Sequence, residues 1–116
     1  MKKGPLSGIR VVEMSTFVAA PVTARLLGDM GADVIKIEAP TGDGWRNNGI
    51  NSAPRFNSDE NPVFDIYNTG KKLISINLKT EKGKEKLIKH CKSTAHQFKI
   101  FYLEFSPTLP KTKSRN

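Results

Sequence analysis

With 116 residues, the chain has room for one small domain and not for two independent cores. Its 37% hydrophobic and 26% charged residues are those of a globular chain on the polar side, and its single cysteine excludes an internal disulfide or a paired-thiol metal or redox motif. The net charge of +8 is uneven: residues 1–80 carry ten Lys/Arg against eight Asp/Glu, residues 81–116 nine against three. The basic last third has no zinc-finger spacing and no RNA-recognition motif, so no specific nucleic-acid partner is expected. No apolar run approaches the roughly 18 residues of a spanning helix, and the reduced cysteine fits a cytoplasmic compartment.

After the break at Ser7-Gly8, the apolar residues Ile9, Val11, Val12 and Met14 form a nearly continuous run, as in a parallel strand covered on both faces. Ser15 and Thr16 open a loop. Pro21 suits the first turn of a helix over Val22–Met30, and Gly31 suits its left-handed end. Within that helix Val22, Leu26, Leu27 and Met30 make a stripe expected to face the core, with Arg25 and Asp29 as an outward i,i+4 pair. Val34, Ile35 and Ile37 give a second strand closed by Glu38 and Pro40, and the right-handed crossover rule makes it parallel to the first.

Residues 41–62 are polar and long for a connection, with Trp45, Ile50, Ala53 and Phe56 as their apolar content; an ordered lid or interface is expected. Val63–Tyr67 fits a short helix or an extended piece, and Asn68-Thr69-Gly70 is a turn. Leu73, Ile74, Ile76 and Leu78 predict a third strand. Thr80 is placed to cap a helix over Glu81–His90 that Gly83 weakens, with Lys82, Lys84, Lys86 and Lys89 as a solvated face offset by Glu81 and Glu85. Ile100 to Leu103 have strand propensity, but Glu104, Ser106, Pro107 and Pro110 follow at once. Residues after about Lys89 are therefore expected not to complete the sheet, and deletion of Ser93–Asn116 to leave folding unchanged.

The loop STFVAAP has no glycine, so the dinucleotide fingerprint is absent, and Gly42, Gly44 and Gly49 do not form a P-loop. Lys71 and Lys72, just beyond the 68–70 turn, are candidates for an anion, or else surface lysines blunting a sheet edge. Arg46 and Arg55 are open to the same two readings, with ordinary surface arginines favoured. His90 and His96 flank Cys91 without a second ligand pair, so no metal site is assigned. Asp43, Asp59 and Glu60 read as turn residues, and no catalytic pair emerges from their spacing.

The segments PLSGIRVVEMSTFVAAPVTARLLGDMGADVIKIEAPTGDGWR and NPVFDIYNTGKKLISINLKTEKGKEKL together resemble the amino-terminal part of the family III CoA-transferases, the formyl-CoA and carnitine CoA-transferase type. The likeness runs from Pro5 to Leu87. It implies an α/β fold, the incomplete amino-terminal part of a Rossmann-like large domain with parallel strands, at residues 1–89, followed by a divergent basic tail at 90–116. In that family two long chains interlock as a homodimer, and CoA passes from an acyl-CoA to a carboxylic acid through a mixed anhydride and a thioester on an aspartate.

The resemblance carries CoA contacts onto Val18 and Ala19 and onto Asn68, Thr69, Gly70 and Lys71. Coenzyme A is then a substrate-derived ligand and not a permanently bound cofactor. Where some members place a coenzyme-contacting arginine after the IKIE segment, this chain has Ala39. The family's later ADVxxxNxRP-like loop and catalytic aspartate are absent, so no catalytic residue is assigned and the chain is expected to be inactive alone, resembling a truncated or frame-shifted product. Within the family, GDGWR and the segment after it resemble members that handle 2-hydroxyacyl groups. The competing expectation is a small noncatalytic CoA-binding or protein-assembly module.

Overall fold

The computed structural model describes residues 3–16, 18–47, 61–92 and 97–101. Four strands, β1 (Arg10–Met14), β2 (Asp33–Glu38), β3 (Lys72–Ser75) and β4 (Gln97–Phe101), form one sheet in the order β3-β2-β1-β4. Every neighbouring pair is parallel, as the near-continuous apolar runs require when both faces are covered. Between the strands lie the helices α1 (Ala19–Asp29), α2 (Gly44–Asn47), α3 (Pro62–Asn68) and α4 (Glu81–Lys92).

One core joins Val11, Ala24, Ala32 and Val34, with Leu6, Ile9 and Leu27 against it, under α1. The other joins Val12, Ile35, Ile37 and Ile76, with Met14, Ile74, Leu87 and Cys91, under α4. Strand residues alternate strictly between the two, because successive side chains of a strand point to opposite faces. Several expected details are present: the Arg25–Asp29 ion pair at 3.8 Å, a left-handed Gly31 after α1, exposed lysines along α4, and the Thr80 hydroxyl accepting from the Gly83 N–H at 3.0 Å. Asn61 accepts from the Phe64 N–H at 3.0 Å and so starts α3, settling that segment as helix.

Three expectations are corrected and a fourth, on Gly83, is extended. The helix after β1 begins at Ala19, and its buried residues are Ala20, Pro21 and Ala24, whereas Leu26 and Met30 are 56% and 41% exposed. Small side chains let the helix sit close to the sheet, which turns Leu26 and Met30 outward while Leu27 of the expected stripe stays against the core. The third strand stops at Ser75: Asn77 folds the chain by accepting from the Lys79 N–H at 3.0 Å, leaving Leu78 outside. Gly83 is more than a weak helix former, since a Cβ there would lie 1.9 Å from the Asn77 carbonyl oxygen; only glycine admits that approach.

The largest correction concerns the chain after Lys89. The helix runs on to Lys92, and residues 97–101 pair with β1 from Arg10↔Gln97 to Met14↔Phe101, so the sheet does gain a strand there. Local breakers close QFKIF quickly, but five residues suffice when a parallel partner already stands in place. Deletion of Ser93–Asn116 is accordingly expected to remove an edge of the sheet. Of the candidate lid or interface at residues 41–62, the stretch 48–60, with Ile50, Ala53, Arg55, Phe56, Asp59 and Glu60, lies outside the described residues, as does His96.

Candidate functional site

Topology positions the candidate site. From β1 through β2 to β3 the sheet grows in one direction, whereas β4 lies on the other side of β1 and its preceding helix covers the opposite face. A right-handed crossover that reverses direction must change face, and the crevice outside the carboxyl ends of the strands at such a reversal is the usual ligand position of open α/β sheets. The segment leaving β1 at that point leads to Val18 and Ala19, both exposed at the start of α1.

Behind this edge lies a group of charges that sequence reading missed. Glu13 and Lys36 are fully buried opposite one another on β1 and β2. The Lys36 ammonium is 2.9 Å from Glu13 Oε1, 2.7 Å from the Ser15 carbonyl and 3.0 Å from Asp43 Oδ2. The Ser15 hydroxyl donates to Glu13 Oε1 at 2.7 Å. On the other side of Glu13, the Lys71 ammonium approaches Oε2 at 2.7 Å and donates to Asn68 Oδ1 at 2.9 Å and the Pro21 carbonyl at 2.8 Å. The Lys36–Asp43 and Lys71–Glu13 Oε2 contacts are close without hydrogen-bond alignment. Charge attraction has no angular requirement and is strong away from water, so we regard both as ion pairs.

Burial pulls the Lys71 ammonium below the usual lysine range; the adjacent Glu13 carboxylate opposes that shift, Lys36 adds to it, and Asp43 opposes it. Two carboxylates and two ammonium groups thus balance within a buried cluster, the condition under which buried charges are tolerated.

The turn after β2 is held by a second group. Glu38 accepts two bonds from Arg46, each 2.7 Å, and one from the Asp43 N–H at 2.9 Å. Burial works to raise the Glu38 carboxyl, but Arg46, the Asp43 amide and Lys36 outweigh it and hold the group below its ordinary value. Arg46 also covers the Phe64 ring at 4.0 Å, and Trp45 stacks on Tyr67 with centroids 6.1 Å apart. Asn61 donates to the Trp45 carbonyl at 2.7 Å, fastening α2 to α3. Arg46 is therefore not an ordinary surface arginine. Asp43 is a turn residue whose Oδ1 accepts from the Trp45 N–H at 3.0 Å, and it is also a partner of Lys36.

The six residues singled out for coenzyme contact divide into two sets. Val18, Ala19, Thr69 and Gly70 are exposed. The side chains of Asn68 and Lys71 point inward, Asn68 donating to the Phe64 carbonyl at 2.9 Å while accepting from Lys71. The contact of Lys71 with Pro21 nevertheless brings the two segments together. Lys72 pairs with Asp33 at 2.8 Å and Arg10 with the same carboxylate at 3.3 Å, outside this group. Among the described residues no cluster of His, Cys, Asp and Glu is arranged for a metal ion, and no helix is long and apolar enough to cross a membrane.

A signal for the buried charges did exist. Arg10 and Glu13 on β1 stand three apart, as do Asp33 and Lys36 on β2, with opposite signs at matching places. A charge in the middle of a strand covered on both faces requires a buried partner, and the parallel register supplies it.

Comparison with known proteins gives a consistent result. The model of CoA-transferase family III matches residues 6–92. The chain is 50% identical over 84 residues to (R)-2-hydroxy-4-methylpentanoate CoA-transferase of Clostridioides difficile, covering 72% of this chain and 21% of that protein. It is 44% identical over 79 residues to cinnamoyl-CoA:phenyllactate CoA-transferase of Clostridium sporogenes, covering 68% and 19%. The crystal structure of a CAIB/BAIF family protein from Brucella suis superposes with a TM-score of 0.70 at 32% identity, over 84% of this chain and 26% of that one. The chain thus spans about a fifth of the length of these curated relatives.

Proposed function

The chain belongs to CoA-transferase family III, and from that premise we propose that it is the coenzyme-side portion of an enzyme that moves CoA between an acyl-CoA and a carboxylic acid. The observation that carries this reading is the junction of two sequence-distant segments, 18–19 and 68–71, through the Lys71–Pro21 contact at the ligand edge of a parallel sheet. Exposed Val18, Ala19, Thr69 and Gly70 offer that ligand apolar surface and backbone donors in a turn. The acceptor belongs to the 2-hydroxy acids, a reading supported by likeness to the two clostridial enzymes named for such substrates. The assembled enzyme is an interlocked homodimer in the cytoplasm.

This chain holds no residue assigned to the covalent steps. Its part is to bind and orient the coenzyme while the carboxyl exchange proceeds elsewhere. Incubated alone with an acyl-CoA and a panel of 2-hydroxy and simple carboxylic acids, the purified chain is expected to give no acyl exchange, while calorimetric titration detects CoA. Turnover by the chain alone would overturn the division of labour. Binding of CoA no tighter than that of inorganic phosphate would replace the coenzyme site by a nonspecific basic surface, and CoA binding that no full-length context converts to transfer would favour a noncatalytic module.

A further inference from the structure

Lys71 is the natural candidate for a phosphate ligand, since it follows a turn at the coenzyme edge and carries a positive charge. Its surroundings contradict that role. The side chain is 1% exposed, and the ammonium, which has three N–H donors, faces three oxygens: Glu13 Oε2 at 2.7 Å, Pro21 O at 2.8 Å and Asn68 Oδ1 at 2.9 Å. None of these partners is exchangeable solvent. Reaching a ligand would strand the fully buried Glu13 and withdraw a donor from a carbonyl in the first turn of α1.

Resting on the coenzyme reading above, we propose that Lys71 is a positioning residue and not a ligand for the coenzyme: with Glu13 it fixes the turn 68–71 against the start of α1, so that exposed backbone at Thr69 and Gly70 meets the ligand. The three oxygens belong to β1, to α1 and to the end of α3, so one ammonium sets the mutual distance of three elements. Lys36 repeats the device one strand further on, joining β1, the Ser15 loop and the Asp43 turn through three oxygens of its own. The depressed proton affinity of Lys71 reflects this burial, against which Glu13 works to keep the ammonium charged.

The proposal separates from a phosphate contact because it assigns the effect of Lys71 to Glu13. Removing Lys71 alone leaves Glu13 short of a countercharge and distorts the turn. Removing both charges restores electrical balance, with Lys36 and Asp43 still paired, whereas a missing phosphate ligand would stay missing. The test uses the full 116-residue chain as wild type, Lys71→Met, Glu13→Gln and the double variant, with CoA affinity measured by isothermal titration at a temperature where circular dichroism shows each folded. Lys71→Met is expected to weaken CoA by roughly tenfold or more, and the double variant to regain about threefold or more of that loss, the part owed to the stranded Glu13.

Reductive methylation mapped by mass spectrometry gives a second readout that needs no variant: Lys71 and Lys36 should stay unmodified with and without CoA, while Lys72 and Lys84 react. Labelling of Lys71 in the free chain with protection by CoA, or a double variant as weak as Lys71→Met, would overturn the proposal. If the wild-type chain binds no CoA, the coenzyme reading fails on its own. The positioning pair is then judged by denaturation, where the double variant must be more stable than Lys71→Met and equal or lower stability refutes it.

Discussion

The two faces of the sheet are built from opposite materials. Beneath α4, Val12, Ile35, Ile37 and Ile76 meet Leu87 and Cys91 in an aliphatic layer. On the face of α1 and α3 the same strands begin with Val11 and Val34 and then present Glu13, Lys36 and Glu38, all buried, as they approach their carboxyl ends. An aliphatic layer holds helix to sheet without fixing fine geometry. A layer of paired charges tolerates few arrangements, because each ion must keep its partner or suffer the full penalty of desolvation. The precise face is the one that leads to the exposed residues at 18–19 and 69–70. Aliphatic packing and paired charges thus occupy opposite sides of one sheet.

The comparison is most severely strained by Lys36→Met. Two carboxylates, Glu13 and Asp43, lose a buried partner together, and a loss of about 3–5 kcal/mol is expected in urea denaturation. Ile35→Ala, one residue earlier and on the other face, should cost about 2–5 kcal/mol, depending on how far α4 settles into the space. Gly83→Ala comes next: the added methyl meets the Asn77 carbonyl and disturbs the Thr80 cap. A cost of about 1–3 kcal/mol should appear in the thermal midpoint.

The smallest effect belongs to Arg46, more than one-third exposed and therefore screened by solvent. Arg46→Met should cost about 1 kcal/mol at neutral pH. Because the Glu38 carboxyl is held below its ordinary value of 4.5, the folded state binds its proton less readily than the unfolded chain does. The resulting stabilisation is complete above the unfolded value and disappears as pH falls through the folded one. Denaturation midpoints followed from pH 7 into the acid range should fall less steeply in Arg46→Met than in wild type. Equal slopes would mean that Arg46 does not control that carboxyl.

Local grammar carried much of the fold. Apolar runs placed β1 and β2, Gly31 placed the end of α1, Thr80 placed the start of α4, and the crossover rule made the strands parallel. What escaped depended on partners distant in sequence. The Leu26–Met30 stripe has the right period, but only the sheet selects Ala20 and Ala24 as the buried side. QFKIF becomes a strand through β1, far upstream. Lys71 was legible as a residue following the 68–70 turn, yet its inward direction depends on Glu13 and Pro21. Glu13 and Lys36 looked like interruptions in apolar strands until register joined them.

Ile35 and Lys36 provide the most direct test, being consecutive on β2 and facing opposite sides of the sheet. CoA affinity is to be measured by titration for Ile35→Ala and Lys36→Met at a temperature where both remain folded, with any unfolded fraction removed by a parallel circular dichroism measurement. The account predicts that Ile35→Ala keeps wild-type affinity within about threefold, whereas Lys36→Met loses roughly tenfold or more. Equal affinities after that correction, or a larger loss from Ile35→Ala, would contradict the claim that the charged face positions the coenzyme.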